Sequence, residues 1–166
     1  MNWIKVQPVI DYSVRRLCVA EYPGHPKGCP NYGKKKGCPP NVPVFDKIYD
    51  LSQPVYAIYN RFDIGTHMAR MRAKHPDWSE RQVRCCLYWQ NGARIENDKH
   101  IALFLQSHLD YETETCPEAM GVDVTATMER SAIILEWPPR VFAYQIALAA
   151  KLKEAGTGAI PTADNL

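Results

Sequence analysis

Between Tyr22 and Pro43, ten of 22 residues are proline or glycine, and no helix or regular strand tolerates that density. Proline removes a backbone donor and locks φ, while glycine carries the largest entropy cost of ordering. The stretch also exceeds the ~12–15 residues beyond which structureless connections become uncommon. Something other than a hydrophobic core must hold it. Cys29 and Cys38 lie inside it and Cys18 just before it. A bound metal is the simplest holder.

The rest of the chain has the composition of an ordinary folded domain. Of 166 residues, 46% are hydrophobic and 23% charged, which excludes wholesale disorder. The length suits one domain, with residues 22–43 as an irregular lobe and 157–166 as a loose tail. No apolar run approaches the ~18 residues of a membrane span. The start, Met1 to Ile10, is broken by Pro8 and followed by Asp11, so it does not read as a signal peptide and a cytoplasmic location is expected. Lys plus Arg is 20 against 18 Asp plus Glu. That near balance gives no electrostatic case for nucleic acid or anionic membrane as a partner.

Hydrophobic periodicity predicts an α/β fold, a small sheet flanked by helices beside the cysteine-rich lobe. Strands are expected at Trp3–Ile10, at Pro54–Ile64 (PVYAIYNRFDI) and at Ser131–Trp137 (SAIILEW). Short helices are expected at Val44–Leu51 and Val122–Arg130. Thr66 would cap a helix stopped by Pro76, and Asp77 with Glu80 or Ser79 with Gln82 offers a capping box for the next. Asn91-Gly92 should interrupt that segment. A further helix would start near Asp98, with Ile101, Phe104, Leu105 and Leu109 on one face. Pro138-Pro139 would open a last helix to Ala155, its stripe formed by Val141, Tyr144, Leu148 and Leu152.

The six cysteines are Cys18, Cys29, Cys38, Cys85, Cys86 and Cys116. A chain with its own core needs no disulfide framework, and a reducing compartment leaves thiols free for metal. Cys18, Cys29 and Cys38 are spaced C-x10-C-x8-C, with Cys116 far downstream. Structural zinc sites usually draw a ligand pair from C-x(2–4)-C, which is absent here. Wide spacing suits a larger object with separated corners, and an iron–sulfur cluster of the [4Fe-4S] type is the leading reading. Zinc, and cysteines that bind nothing, are the alternatives.

The run Cys29-x-x-Tyr32-Gly33-x4-Cys38-Pro39-Pro40 resembles an uncharacterised family of small cysteine-rich proteins predicted to bind metal. Cys116-Pro117-Glu118 and then Met120-Gly121-Val122-Asp123-Val124 resemble that family's closing segment. The resemblance implies that Cys116 joins Cys18, Cys29 and Cys38 as a ligand. It implies a cofactor and not a particular reaction. Here the segment Glu21 to Gly28 is an insertion relative to the family, and further cysteines that the family carries before Cys116 are missing. A second cluster is therefore not implied.

Four thiolates would close a cubane, giving electron transfer or structure. Three would leave an open iron for desulfurase-like chemistry on a thiolated compound. A zinc-stabilised binding module is the third possibility. Lys34, Lys35 and Lys36 lie between two candidate ligands and could form a cationic rim for an anionic small molecule or a redox partner. Asp110, Glu112, Glu114 and Glu118 flank Cys116 and could pair with those lysines or form a polar linker. Cys86 shares a helical face with Val83 and Leu87 and is expected to be a buried small hydrophobe, whereas Cys85 should point elsewhere. His25 reads as a bystander, and His67, His75, His100 and His108 show no ligand spacing.

Overall fold

The β-branched and aromatic run after Pro54 forms the central strand of the molecule. The structure, a computed structural model, describes residues 2–21 and 25–154. Along the chain come β1 (Trp3–Val6), β2 (Val9–Ile10), α1 (Phe45–Ile48), β3 (Val55–Asp63), α2 (Ile64–Lys74), α3 (Glu80–Val83), α4 (Gln90–Ser107), β4 (Glu112–Glu114), β5 (Val122–Asp123), α5 (Val124–Glu129) and β6 (Phe142–Ala150). β3 pairs antiparallel with β1 on one side and β6 on the other, and β4 adds to the far edge of β6. The order is β1-β3-β6-β4. β2 and β5 form a separate antiparallel pair.

Strand alternation sorts the core into two faces. Val55 and Ala57 of β3, with Leu148 and Ala150 of β6, face Phe45, Tyr49, Met120, Val122 and Met128. Ile58 and Ala149 face the other way, onto Phe104 of α4 and Tyr111. Phe45, Ile58 and Phe104 are completely buried, each stabilising the fold by about 1.5–3 kcal/mol relative to an exposed side chain. The small α/β sheet flanked by helices is thus the observed class.

Several local expectations fail for identifiable reasons. Residues 142–150 form β6, not the helix predicted from Pro138 to Ala155. The supposed stripe leaves Val141 and Leu152 half exposed. The run Ala147–Ala150 is buried and gains ladder hydrogen bonds from strands on both sides. Two ladders and two covered faces outweigh alanine's helix propensity. Ser131–Trp137 keeps a strand-like alternation, Ile133 and Leu135 inward and Ile134 and Trp137 outward, but it belongs to no named strand. Trp3–Ile10 splits at Gln7-Pro8, so β1 and β2 join different sheets.

Helix starts also move. Asp63, not Thr66, caps α2, its carboxylate accepting from the Thr66 N–H at 2.8 Å and the Thr66 hydroxyl at 2.9 Å. Ser79 and Gln82 form the capping box that was one of two options. α4 runs straight through Asn91-Gly92 and begins at Gln90, well before Asp98. Its Ala93, Asn97 and Phe104 are buried on the sheet side, and the Asn60 side chain donates to the Ala93 carbonyl at 3.0 Å. Those contacts outweigh the ~1 kcal/mol that one helical glycine costs. The predicted helix Val122–Arg130 surrenders its first two residues to β5. The tail 157–166 and residues 22–24 lie outside the described residues. No helix among those described is long and apolar enough to cross a membrane.

Candidate metal centre

Cys18 ends a 3-10 helix, Tyr12–Cys18, whose position is set at both ends. Asp11 caps it by accepting from the Ser13 N–H, and the Asp11 N–H bonds to the Gly121 carbonyl at 2.9 Å. The Tyr12 hydroxyl donates to Asp46, and Arg15 donates to the Val42 carbonyl. The cysteine-rich lobe then folds back onto this helix. The Cys29 N–H bonds to the Cys18 carbonyl at 2.8 Å. Gly28 makes that crossing possible: its φ is +76°, and a Cβ there would lie 2.7 Å from the Cys18 carbonyl oxygen and from Val19 Cα. Both the conformation and the space demand glycine.

Beyond Cys29 the lobe is tied by its own backbone. Tyr32 bonds back to the Cys29 carbonyl, Gly33 to Pro39, Cys38 to Lys35 and Val42 to Cys38. Val42 is the apolar anchor, buried in the core beside Phe45. Cys116 arrives from the opposite direction, after β4. Its N–H donates to the Glu114 carboxylate at 2.9 Å, and Pro117 behind it is buried.

Burial disfavours the ionised form of two of these thiols. Desolvation raises the Cys18 thiol, and Cys29 and Cys38 raise it further. Cys116 keeps contact with water, yet desolvation is also the chief cause raising its thiol, followed by Glu118, Glu114 and, more weakly, Cys38. Glu118 acts on both Cys18 and Cys116, and its own carboxyl is raised first by desolvation and then by Asp123 and Glu114. Among the described residues, no group of three or more His, Cys, Asp or Glu side chains is arranged to hold a metal ion.

Cys38 and Cys116 both border a cavity of about 500 Å³ between the lobe, α4 and the β4 edge of the sheet. Of the three lysines expected to form a rim, Lys35 borders this cavity; Lys34 and Lys36 are exposed outside its lining. Arg94 and Asp98 face it from α4, with Asn97, 5% exposed, whose Oδ1 has no hydrogen-bond partner among the described residues. Lys35 and Arg94 are in no ion pair with a described residue. The acidic stretch does not pair with the lysines: Asp110 bonds Lys151 at 2.5 Å, and Glu114 holds the Cys116 N–H. Sequence reasoning missed Arg94 and Asn97. Their spacing with Asp98, i, i+3, i+4 on one helix face, was the available signal.

The remaining cysteines stand apart from this set. Cys86 is exposed, not buried, and Leu87 is 83% exposed. The reason is that α3 ends at Val83, so the face Cys86 would have shared is lost. Cys85 is half-buried, and neither residue borders the cavity that Cys38 and Cys116 share. All six cysteines are free thiols. Three of the five histidines are engaged away from the lobe: His75 stacks on Trp78, His108 on Phe104, and His100 bonds Asn2. No family model, curated protein or solved structure matches this chain.

Proposed function

We propose that this chain is an iron–sulfur protein that holds a [4Fe-4S]-type cluster on Cys18, Cys29, Cys38 and Cys116 for redox or sulfur chemistry. The observation that supports the reading is that Cys38 and Cys116, 78 residues apart in sequence, are free thiols bordering one cavity, while the Cys29 backbone is hydrogen-bonded to that of Cys18. Thiolate is the donor that such clusters take.

When bound, the cluster supplies one-electron transfer, or Lewis acidity if one iron lacks a protein ligand. The chain's own part is to converge the thiols, to shield Cys18 and to leave Cys38 and Cys116 beside an open cavity. Lys35 and Arg94 would draw an anionic small molecule or an acidic partner surface there, since neither is neutralised by a described carboxylate. Cys116→Ser tests the four-thiolate set. The variant should keep its fold but show an altered visible spectrum and weaker iron retention, because an alcohol is a poorer iron ligand than a thiolate. An unchanged spectrum, together with a wild-type cluster that responds to added sulfide, would remove Cys116 and favour the open, desulfurase-like site.

A further inference from the structure

Charge is divided unevenly along the chain. From Tyr12 to Phe45 there are six lysines or arginines and one carboxylate, Glu21, whereas the remainder has 14 against 17. The net charge of +2 therefore hides a basic segment on an acidic body. Arg16, Lys27, Lys34, Lys35 and Lys36 are exposed, and none is in an ion pair with a described residue.

Apolar side chains lie exposed within the same segment. In a 3-10 helix, side chains three residues apart eclipse. In Tyr12–Cys18 one such row is turned to the body: Tyr12 donates to Asp46, Arg15 donates to the Val42 carbonyl, and Cys18 is half-buried. Leu17 and Val19 lie on either side of Cys18, off that row, and are 67% and 49% exposed. Gly28 abuts Val19, since a Cβ there would lie 2.7 Å from Val19 Cα, so Lys27 arrives beside the apolar pair. The Cys29 N–H bonds to the Cys18 carbonyl, and two of the proposed cluster ligands therefore adjoin this surface. None of Arg16, Leu17, Val19 and Lys27 borders the cavity beside Cys38 and Cys116.

We propose that Leu17 and Val19, rimmed by Arg16 and Lys27, form the docking surface for a small acidic electron-carrier protein, a proposal that rests on the iron–sulfur reading. The unpaired cations of the segment, Lys34 and Lys36 included, steer a negative partner over a Debye length of ~8–10 Å and need not converge on one atom. The apolar pair within that rim supplies the contact, the usual anatomy of a protein interface. A small patch suits electron-transfer complexes, which bury less than about 1,200 Å². A nucleic-acid backbone is held by charge and hydrogen bonds and would leave Leu17 and Val19 unused. In the exchange the carrier loses the one electron that the cluster gains, and no proton or covalent bond moves.

Surface plasmon resonance of the iron-loaded full chain over immobilised flavodoxin, an acidic one-electron carrier, tests the surface. Cytochrome c, a basic carrier, and a duplex DNA are the comparisons. Flavodoxin should bind saturably, and raising salt from ~50 to ~300 mM should weaken it by about tenfold or more. Lys27→Glu combined with Lys34→Glu should slow association by about tenfold, whereas Lys74→Glu, exposed on α2, should not. Leu17→Ser should speed dissociation at both salt levels by about threefold or more. All three variants should keep wild-type iron content, which separates docking from ligation. Iron-loaded chain that does not bind flavodoxin, or binds it equally after the double lysine change, would overturn the docking proposal alone. Binding to cytochrome c or to DNA with none to flavodoxin would overturn it in favour of that partner. A chain that carries no iron would overturn the cluster reading and the docking proposal together.

Discussion

Removing iron from the loaded protein will expose residues 25–43 to trypsin while the sheet and α4 resist. The lobe has little to hold itself. Its buried residues are Gly28, Pro39 and Val42, and only Val42 reaches the core. Tyr32 is 40% exposed, and Lys27, Lys34, Lys35 and Lys36 are exposed cleavage points. Backbone turns such as Gly33 to Pro39 bond the lobe to itself, but each contributes only about 0.5–1.5 kcal/mol net. Ligation by three lobe-side thiolates should supply the larger share of its order. If it raises the local opening free energy by about 3 kcal/mol, iron loss speeds cleavage there by about 100-fold. Equal cleavage rates with and without iron would show that the turns suffice.

Cys38→Ser should cost the cofactor more than any other single thiol change. Cys38 borders the same cavity as Cys116 and lies in the lobe with Cys29, so its loss would separate the proposed lobe-side ligands from the one after β4. It is only half-buried and belongs to none of the three core clusters. Circular dichroism should therefore report an intact sheet, while iron retained through desalting falls by about tenfold or more. Cys85→Ser and Cys86→Ser should retain iron at wild-type levels. Full retention in Cys38→Ser, or iron loss in Cys86→Ser with the fold intact, would reassign the ligand set.

What could be read in advance follows from where the determining interactions lie. Val55–Asp63 was legible because β-branched and aromatic residues between Pro54 and Gly65 carry their own strand signal. The Ser79–Gln82 capping box was legible because both partners are three residues apart. The lobe declared itself through proline, glycine and cysteine content alone. β6 was not legible, since its strand character comes from ladders with β3 and β4, which are distant in sequence. The start of α4 failed similarly: Asn60 and the sheet override the local Asn91-Gly92 signal. In the site, the cysteines were visible as residues, but Arg94 and Asn97 acquire meaning only once α4 is extended back to Gln90 and laid against the sheet.

The most direct test of the central claim is the iron and acid-labile sulfide content of protein purified without oxygen. Such protein should be brown and carry about four iron and four sulfide per chain. One zinc per chain with no sulfide would contradict it.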